Sequence, residues 1–449
     1  MTLIIVAIIL LSFLLIATEK ITNVNKAAIA IFAGTVGWVL YICYGTDFVM
    51  SQHYGEYASF LDSATSSSVV VKQFIAKRIF LPYVGEAAEI VLFLLSTMTI
   101  VEILNNNGCF DFVSQLLKTR NSKRMLWSLG IITFLISANL DNLTTTVMMI
   151  TMMHEVVPSR RQRMIFGSAI VVAANAGGAL TVIGNPEGLV LWNIGAVSAT
   201  NFSMSLIIPC IIAWAIPTWM LGRMLPSRLD TEWVVMPYRG DDTNLNTWQR
   251  LLMLFVGIGG LWFIPTFHNI TKLSPFLGAL CVLSILWIVN EIFNHKLMNA
   301  DQMIQRRTPR VLQYGVIQMM LYVMGVMLAL GVVKETGATK LLWDFLQENI
   351  NSVWIYGVIA GVVSSVLDTF ATAMSFIQIK QNVVMNDIYY KVIAFCVMSG
   401  GNVLAIGSMS GIALLKMERM HIGWYFRNVG WKCVLGTALG FMVLMLANI

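Results

Sequence analysis

Charge is what this chain has least of. Of its 449 residues only 12% are charged, while 57% are hydrophobic. A water-soluble domain carries about 25% charged residues, so a soluble globular protein is excluded. Many apolar runs reach the ~20 residues needed to cross a bilayer, which makes this a polytopic membrane protein. Paired cysteines are missing as well. The six cysteines (Cys43, Cys109, Cys210, Cys281, Cys396, Cys433) lie far apart, without CxxC or Cys/His spacing, and read as small apolar packing residues. The five histidines are scattered, so no metal site follows, and the 28 methionines read as packing. There is no nucleophile–base arrangement, no His-Glu-x-x-His word and no paired catalytic aspartates, which argues against a membrane-embedded enzyme. The net charge of +6 does not imply nucleic acid, because basic residues of a membrane protein mark cytoplasmic loops. Leu3 to Ile16 has neither a basic leader nor a small-residue cleavage word, so it is expected to be a retained first span.

What is present is a pair of polar words, each occurring twice in otherwise apolar sequence. Ser137-Ala-Asn-Leu-Asp141-Asn-Leu-Thr144-Thr145 returns as Ser364-Ser-Val-Leu-Asp368-Thr369-Phe-Ala-Thr372. Gly178-Ala-Leu-Thr-Val-Ile-Gly184-Asn-Pro-Glu-Gly188 returns as Gly401-Asn-Val-Leu-Ala-Ile-Gly407-Ser-Met-Ser-Gly411. The offsets agree: Asp141 to Asp368 is 227 residues and Gly184 to Gly407 is 223. A carboxylate within hydrocarbon is costly and marks function. Glycine-interrupted spans at corresponding places in two halves point to a substrate site.

Apolar runs predict spans near 2–18, 25–44, 80–104, 164–194 and 202–222, then 250–266, 275–293, 312–333, 390–414 and 424–447. The stretches 125–157 and 352–385, each broken by the first polar word, are long for one helix and short for two spans. Each is expected to be a re-entrant hairpin with the word at its tip, where protein or a wet cavity covers the irregular backbone. Lys118, Arg120, Lys123 and Arg124 before the first hairpin, and Arg160, Arg161 and Arg163 after it, set both its ends on the cytoplasmic side. Arg223, Arg228, Arg239 and Arg250 place the central loop there too, as Lys296, Arg306, Arg307 and Arg310 do for 294–311. The second hairpin has poorer flanks and is expected to open from outside. Five spans per half is odd, so the second half enters reversed. The expected fold class is therefore an all-α polytopic membrane protein with an inverted-topology repeat, each half holding five spans, one re-entrant hairpin and a discontinuous helix. Repeat 1 is 1–222, the cytoplasmic linker 223–249 and repeat 2 250–449. Segments 46–78 and 335–350 are amphipathic enough to lie at the outer interface.

Around Asp141 stand Asn139, Asn142, Thr144 and Thr145, hard oxygen donors of the kind that replace water around a small hard cation. Desolvation favours the protonated form of a carboxylate, so one such group can hold a proton or a cation in competition, which suffices for antiport. The plainer reading is that Asp141 caps the second helix of the hairpin, and both can hold. Asp368, with Ser364, Ser365, Thr369 and Thr372, has the weaker donor set. Asn175 within Ala173-Ala-Asn-Ala-Gly-Gly178, and Ser399, Asn402, Ser408 and Ser410 in the second half, add oxygens at helix breaks, which expose carbonyls and half-helix ends. The alternative for the glycines is close helix packing. Glu187 is either a third intramembrane carboxylate or a solvated group near the outer mouth. Glu86 and Glu89 are expected to face the interface or to pair with Lys77 or Arg78, and His154 to be a lone interfacial histidine.

Ser137-Ala-Asn-Leu-Asp-Asn-Leu-Thr-Thr145, with Ala174-Asn-Ala-Gly-Gly178 and Ile183-Gly184, resembles the NhaD-type sodium/proton antiporters of the ion transporter superfamily, which also holds dicarboxylate and citrate carriers. Glu86-Ala-Ala-Glu-Ile-Val-Leu-Phe-Leu-Leu-Ser-Thr-Met-Thr99 and Ile406-Gly-Ser-Met-Ser-Gly-Ile-Ala-Leu-Leu-Lys-Met-Glu418 fit the same pattern. With no transit-like start, the expected location is a bacterial inner membrane. The resemblance implies a homodimer with a scaffold and a mobile domain of hairpins and broken helices. It implies exchange of sodium or lithium for protons, with no cofactor, and membrane lipid as the other partner. Asp141, Thr144 and Asn175 match positions serving the ion site, with Ser408 and Ser410 in the matching region of the second half. The family usually has Gly-Asp-Val-Thr-Thr where this chain has Gly184-Asn185-Pro186-Glu187-Gly188, so the carboxylate returns two positions later. Sodium-coupled uptake of an organic anion is the alternative, against which Asp141 and Asp368 at the tips argue by repulsion.

Overall fold

The computed structural model describes residues 1–22, 24–61, 66–116, 119–229, 245–294, 314–350, 352–380 and 382–448. Most of the expected linker 223–249, the basic loop 294–311 and Lys118 fall outside them. Nine helices among the described residues are long and apolar enough to cross a membrane. The first half contains α1 Thr2–Ala17, α2 Lys26–Cys43, α3 Ser68–Asn106, α4 Ser122–Ser137, α5 Asn142–Val156, α6 Arg160–Leu180, α7 Pro186–Asn193 and α8 Ala199–Gly222. The second contains α9 Thr247–Thr271, α10 Pro275–Asn294, α11 Tyr314–Glu335, α12 Val353–Val366, α13 Thr369–Ile379, α14 Ile388–Leu404, α15 Met409–Met417 and α16 Ile422–Leu446. The chain is an integral multi-pass membrane protein. Its outward faces carry Leu3, Phe255, Trp262 and Leu446, while asparagines and carboxylates lie inside, the reverse of a soluble surface.

The stretch 46–78 has three helical parts. Gly45–Gln52 and Tyr54–Leu61 are short separate helices, but Ser68–Phe74 runs through a π-helical turn at Ile75–Phe80 into the span. Val71, Phe74, Ile75 and Ile79 are buried. They extend the apolar face of the span, so the helix has no reason to stop where hydropathy falls.

The helices pack in two groups. α2 lies along α11, with α1, α3, α9 and α10 completing a panel. The contact of α2 with α11 is so close that a Cβ on Gly325 would stand 2.5 Å from the backbone carbon of Ala30. The second group is a bundle in which α6 and α14 are surrounded by α4, α5, α8, α12, α15 and α16. Within it, α4 begins beside the end of α8, where Leu229 N donates to Arg120 O at 3.0 Å. α5 ends near the start of α6, where His154 and Arg163 share Glu418. α12 and α13 instead have their free ends around Tyr389, whose hydroxyl donates to Phe376 O at 2.8 Å and whose ring lies 6.0 Å from that of Tyr356. Asn386 beside it bonds Ala196 and Ser198, at the far end of α7. The two broken helix pairs therefore enter the bundle from opposite ends and meet inside it.

Candidate functional site

The tips of the two pairs and the breaks of two spans converge. Asp141 is the N-cap of α5: its Oδ2 accepts from Thr144 N at 2.9 Å and Thr144 Oγ1 at 3.0 Å, satisfying an otherwise orphaned helix donor. Its Oδ1 is buried and finds no hydrogen-bond partner among the described residues. The cap and the free oxygen belong to one carboxylate, so both readings of Asp141 hold at once. Asp368 caps α13 in the same way, Oδ1 accepting from Phe370 N at 3.0 Å.

The spans break where the glycine words stand. α6 ends at Leu180 and α7 starts at Pro186, with Asn185 Oδ1 accepting from Gly188 N at 2.7 Å. α14 ends at Leu404 and α15 starts at Met409, with Ser408 Oγ accepting from Gly411 N at 3.0 Å. Close approach requires the glycines: a Cβ on Gly184 would lie 2.8 Å from Ser137 O, and one on Gly407 1.9 Å from Ser364 O. Each break is thus pressed on the serine of its own tip. These serines fasten the tips to the spans, Ser137 Oγ donating to Ala174 O at 2.6 Å and Ser364 Oγ to Val397 O at 2.7 Å.

An amide chain joins the two halves. Asn142 Nδ2 donates to Asn175 Oδ1 at 3.0 Å. Asn175 Nδ2 donates to Asn402 Oδ1 at 2.7 Å and to Ser408 Oγ at 3.0 Å. All four side chains are buried. Further buried oxygens have no partner among the described residues: Thr145 Oγ1 on α5, Thr372 Oγ1 on α13, Ser410 Oγ on α15 and Glu187 Oε2 on α7. A buried polar atom without a partner costs ~1–3 kcal/mol, so these oxygens call for an explanation beyond the fold.

Glu187, in the first turn of α7, is only 2% exposed. That rules out a solvated group: it is a buried carboxylate, beside Thr369 and near enough to Asp141 and Asp368 for their charges to bear on it. Two expected residues are engaged otherwise. Asn139 Oδ1 accepts from the Trp262 indole N–H. Asp368 Oδ2 accepts from Lys26 Nζ at 2.5 Å. Glu89 pairs with neither Lys77 nor Arg78. Its carboxylate accepts from Asn193 and Ser274, each at 2.8 Å. Nor is His154 alone, since it contacts the buried Glu418, which also takes Arg163 at 3.2 Å.

Lys26 and Tyr322 stand beside the second tip, and sequence reasoning missed both. A single lysine heading a span looks like an interfacial anchor, and only the fold brings it to the second tip. The one available signal was that Asn25-Lys26 opens an otherwise apolar span.

Long apolar helices around two breaks, with buried carboxylates and amides between them, define a membrane carrier for small ions. Residues 1–400 match the citrate transporter family, CitMHS. Sodium/proton antiporter 1 of Arabidopsis thaliana is 31% identical over 364 residues, 79% of this chain and 61% of that protein. Sodium/proton antiporter 2 of the same plant is 30% identical over 366 residues, covering 80% of this chain and 85% of its own length. The Na+/H+ antiporter NhaD of Vibrio parahaemolyticus is 26% identical over 382 residues, 79% and 88% of the two chains. The chain belongs to the citrate transporter family, among its NhaD-type sodium/proton antiporters.

Proposed function

We propose that this protein exchanges sodium, or lithium, for protons by alternating access, with Asp141 binding cation or proton in competition. The observation that carries this is the divided carboxylate of Asp141. One oxygen is spent on the helix cap, and the other is buried without a hydrogen-bond partner among the described residues, on a tip whose Asn142 donates to Asn175. Desolvation makes either a proton or a cation preferable to a bare charge there. Glu187 is the second exchangeable carboxylate, and Ser408, Ser410 and Thr369 border the site from the second half.

The halves are read as an inverted repeat. Matching contacts support this, since Ser137, Asp141, Gly184 and Asn185 are treated as Ser364, Asp368, Gly407 and Ser408 are. The bundle moves against the panel, the first pair opening to the cytoplasm and the second to the outside, in a homodimer of a bacterial inner membrane. Loaded forms must cross and the empty form must not, because a ligand shifts a two-state equilibrium only through differential affinity.

The test is collapse of an imposed pH gradient by sodium in inverted vesicles. Wild type dissipates the gradient and Asp141→Asn does not. Exchange retained by Asp141→Asn sinks the assignment. The family description also names citrate. Two buried carboxylates, Asp141 and Glu187, would repel a polyanion, so labelled citrate is expected to stay outside right-side-out vesicles under an inward sodium gradient.

A further inference from the structure

We infer that Lys26 is a built-in cation that holds Asp368 out of ion exchange, leaving the exchangeable charge to Asp141 and Glu187. The three carboxylates differ in what remains open. Asp141 and Glu187 each keep one buried oxygen without a partner among the described residues, whereas both oxygens of Asp368 are taken, one by Phe370 N at 3.0 Å and one by Lys26 Nζ. The ammonium is not a passing surface charge. Lys26 is 6% exposed, and its Nζ lies 4.5 Å from the centre of the Tyr322 ring, whose face attracts a cation. Its backbone is fixed by Asn25, which caps α2 by accepting from Ala27 N at 2.9 Å. Lys26 belongs to the panel and Asp368 to the tip that meets the bundle, so the pair also joins the two packing groups.

With Lys26 against Asp368, the carboxylates that keep an oxygen open to an ion are Asp141 and Glu187. This rests on the antiport reading.

The experiment compares wild type with Lys26→Met, Asp368→Asn and the double variant, purified and reconstituted, each first checked as monodisperse by size exclusion. Protons moved per cation are measured as the voltage at which exchange reverses under fixed sodium and pH gradients. The double variant is expected to keep the wild-type ratio, since it removes a charge pair that does not exchange. Lys26→Met alone exposes Asp368 as a third exchangeable carboxylate and is expected to change the apparent sodium affinity at least tenfold. A monodisperse double variant with an altered ratio, or a single variant with unaltered affinity, overturns the inference. If the wild type moves no protons under any monovalent cation gradient, the antiport reading fails instead, and the pair is then read from sodium binding to the purified proteins: an unaltered affinity in the double variant supports a pair outside the cation site, and an altered one overturns it.

Discussion

Asn175 shows what one side chain does at this junction. It accepts from Asn142 and donates to both Asn402 and Ser408, so it connects the first tip, both broken spans and the second break. Asn175→Ala would strand the Asn142 amide and the Asn402 oxygen in a buried place, at ~1–3 kcal/mol for each group left without a partner. The expected outcome is a thermal midpoint lowered by several degrees and a sodium requirement raised at least tenfold, read by thermal unfolding and by exchange titration. A variant with wild-type midpoint and titration would show that the amide chain is incidental. Asp368→Asn works differently, because it leaves the Lys26 ammonium buried without its counter-charge. Removing one partner of a buried ion pair costs ~3–5 kcal/mol, so this variant is expected to be the least stable of the site set.

At the scale of elements, the breaks matter more than the helices they interrupt. Gly407 stands where a Cβ would fall 1.9 Å from Ser364 O, an oxygen of the backbone that cannot swing aside. Gly407→Ala must therefore push the second break off its tip, and exchange is expected to fall below a tenth of wild type. Gly85→Ala and Gly423→Ala, at positions where a Cβ meets nothing within 4 Å, are expected to exchange as wild type does. Equal loss in all three would mean that helix propensity, not the tip contact, is at stake. These breaks were legible in sequence, because glycine, proline and a polar word inside an apolar span leave few other structures in a membrane. What was not legible depends on pairing across long separations. Lys26 meets Asp368 342 residues away, and His154 meets Glu418 264 residues away. Neither partner carries a local signal of the other. The start of α3 was hidden for another reason: Lys72, Lys77 and Arg78 lower its hydropathy, while Val71, Phe74, Ile75 and Ile79 still bury one face.

At the scale of the whole molecule, panel and bundle are each closely packed internally, and several polar contacts bridge them. Lys26 meets Asp368, Trp262 meets Asn139, and Glu89 with Ser274 meets Asn193. Panels and bundles that must slide keep their apolar contacts and exchange such links, since packed interfaces are bistable, not continuously deformable. The Trp262–Asn139 contact tests this directly, because Trp262 is on the panel and Asn139 at the first tip. Asn139→Cys and Trp262→Cys would be combined in a background in which the exposed Cys43 and Cys281 are replaced. A short reducible bis-methanethiosulfonate would then join the two sites. Linking is expected to lower exchange below a tenth of that of the unlinked protein, and reduction to restore it. Either single cysteine treated the same way controls for modification alone. A linked protein that exchanges at full rate would mean that tip and panel keep their relation throughout the cycle, and the alternation would have to lie within the bundle.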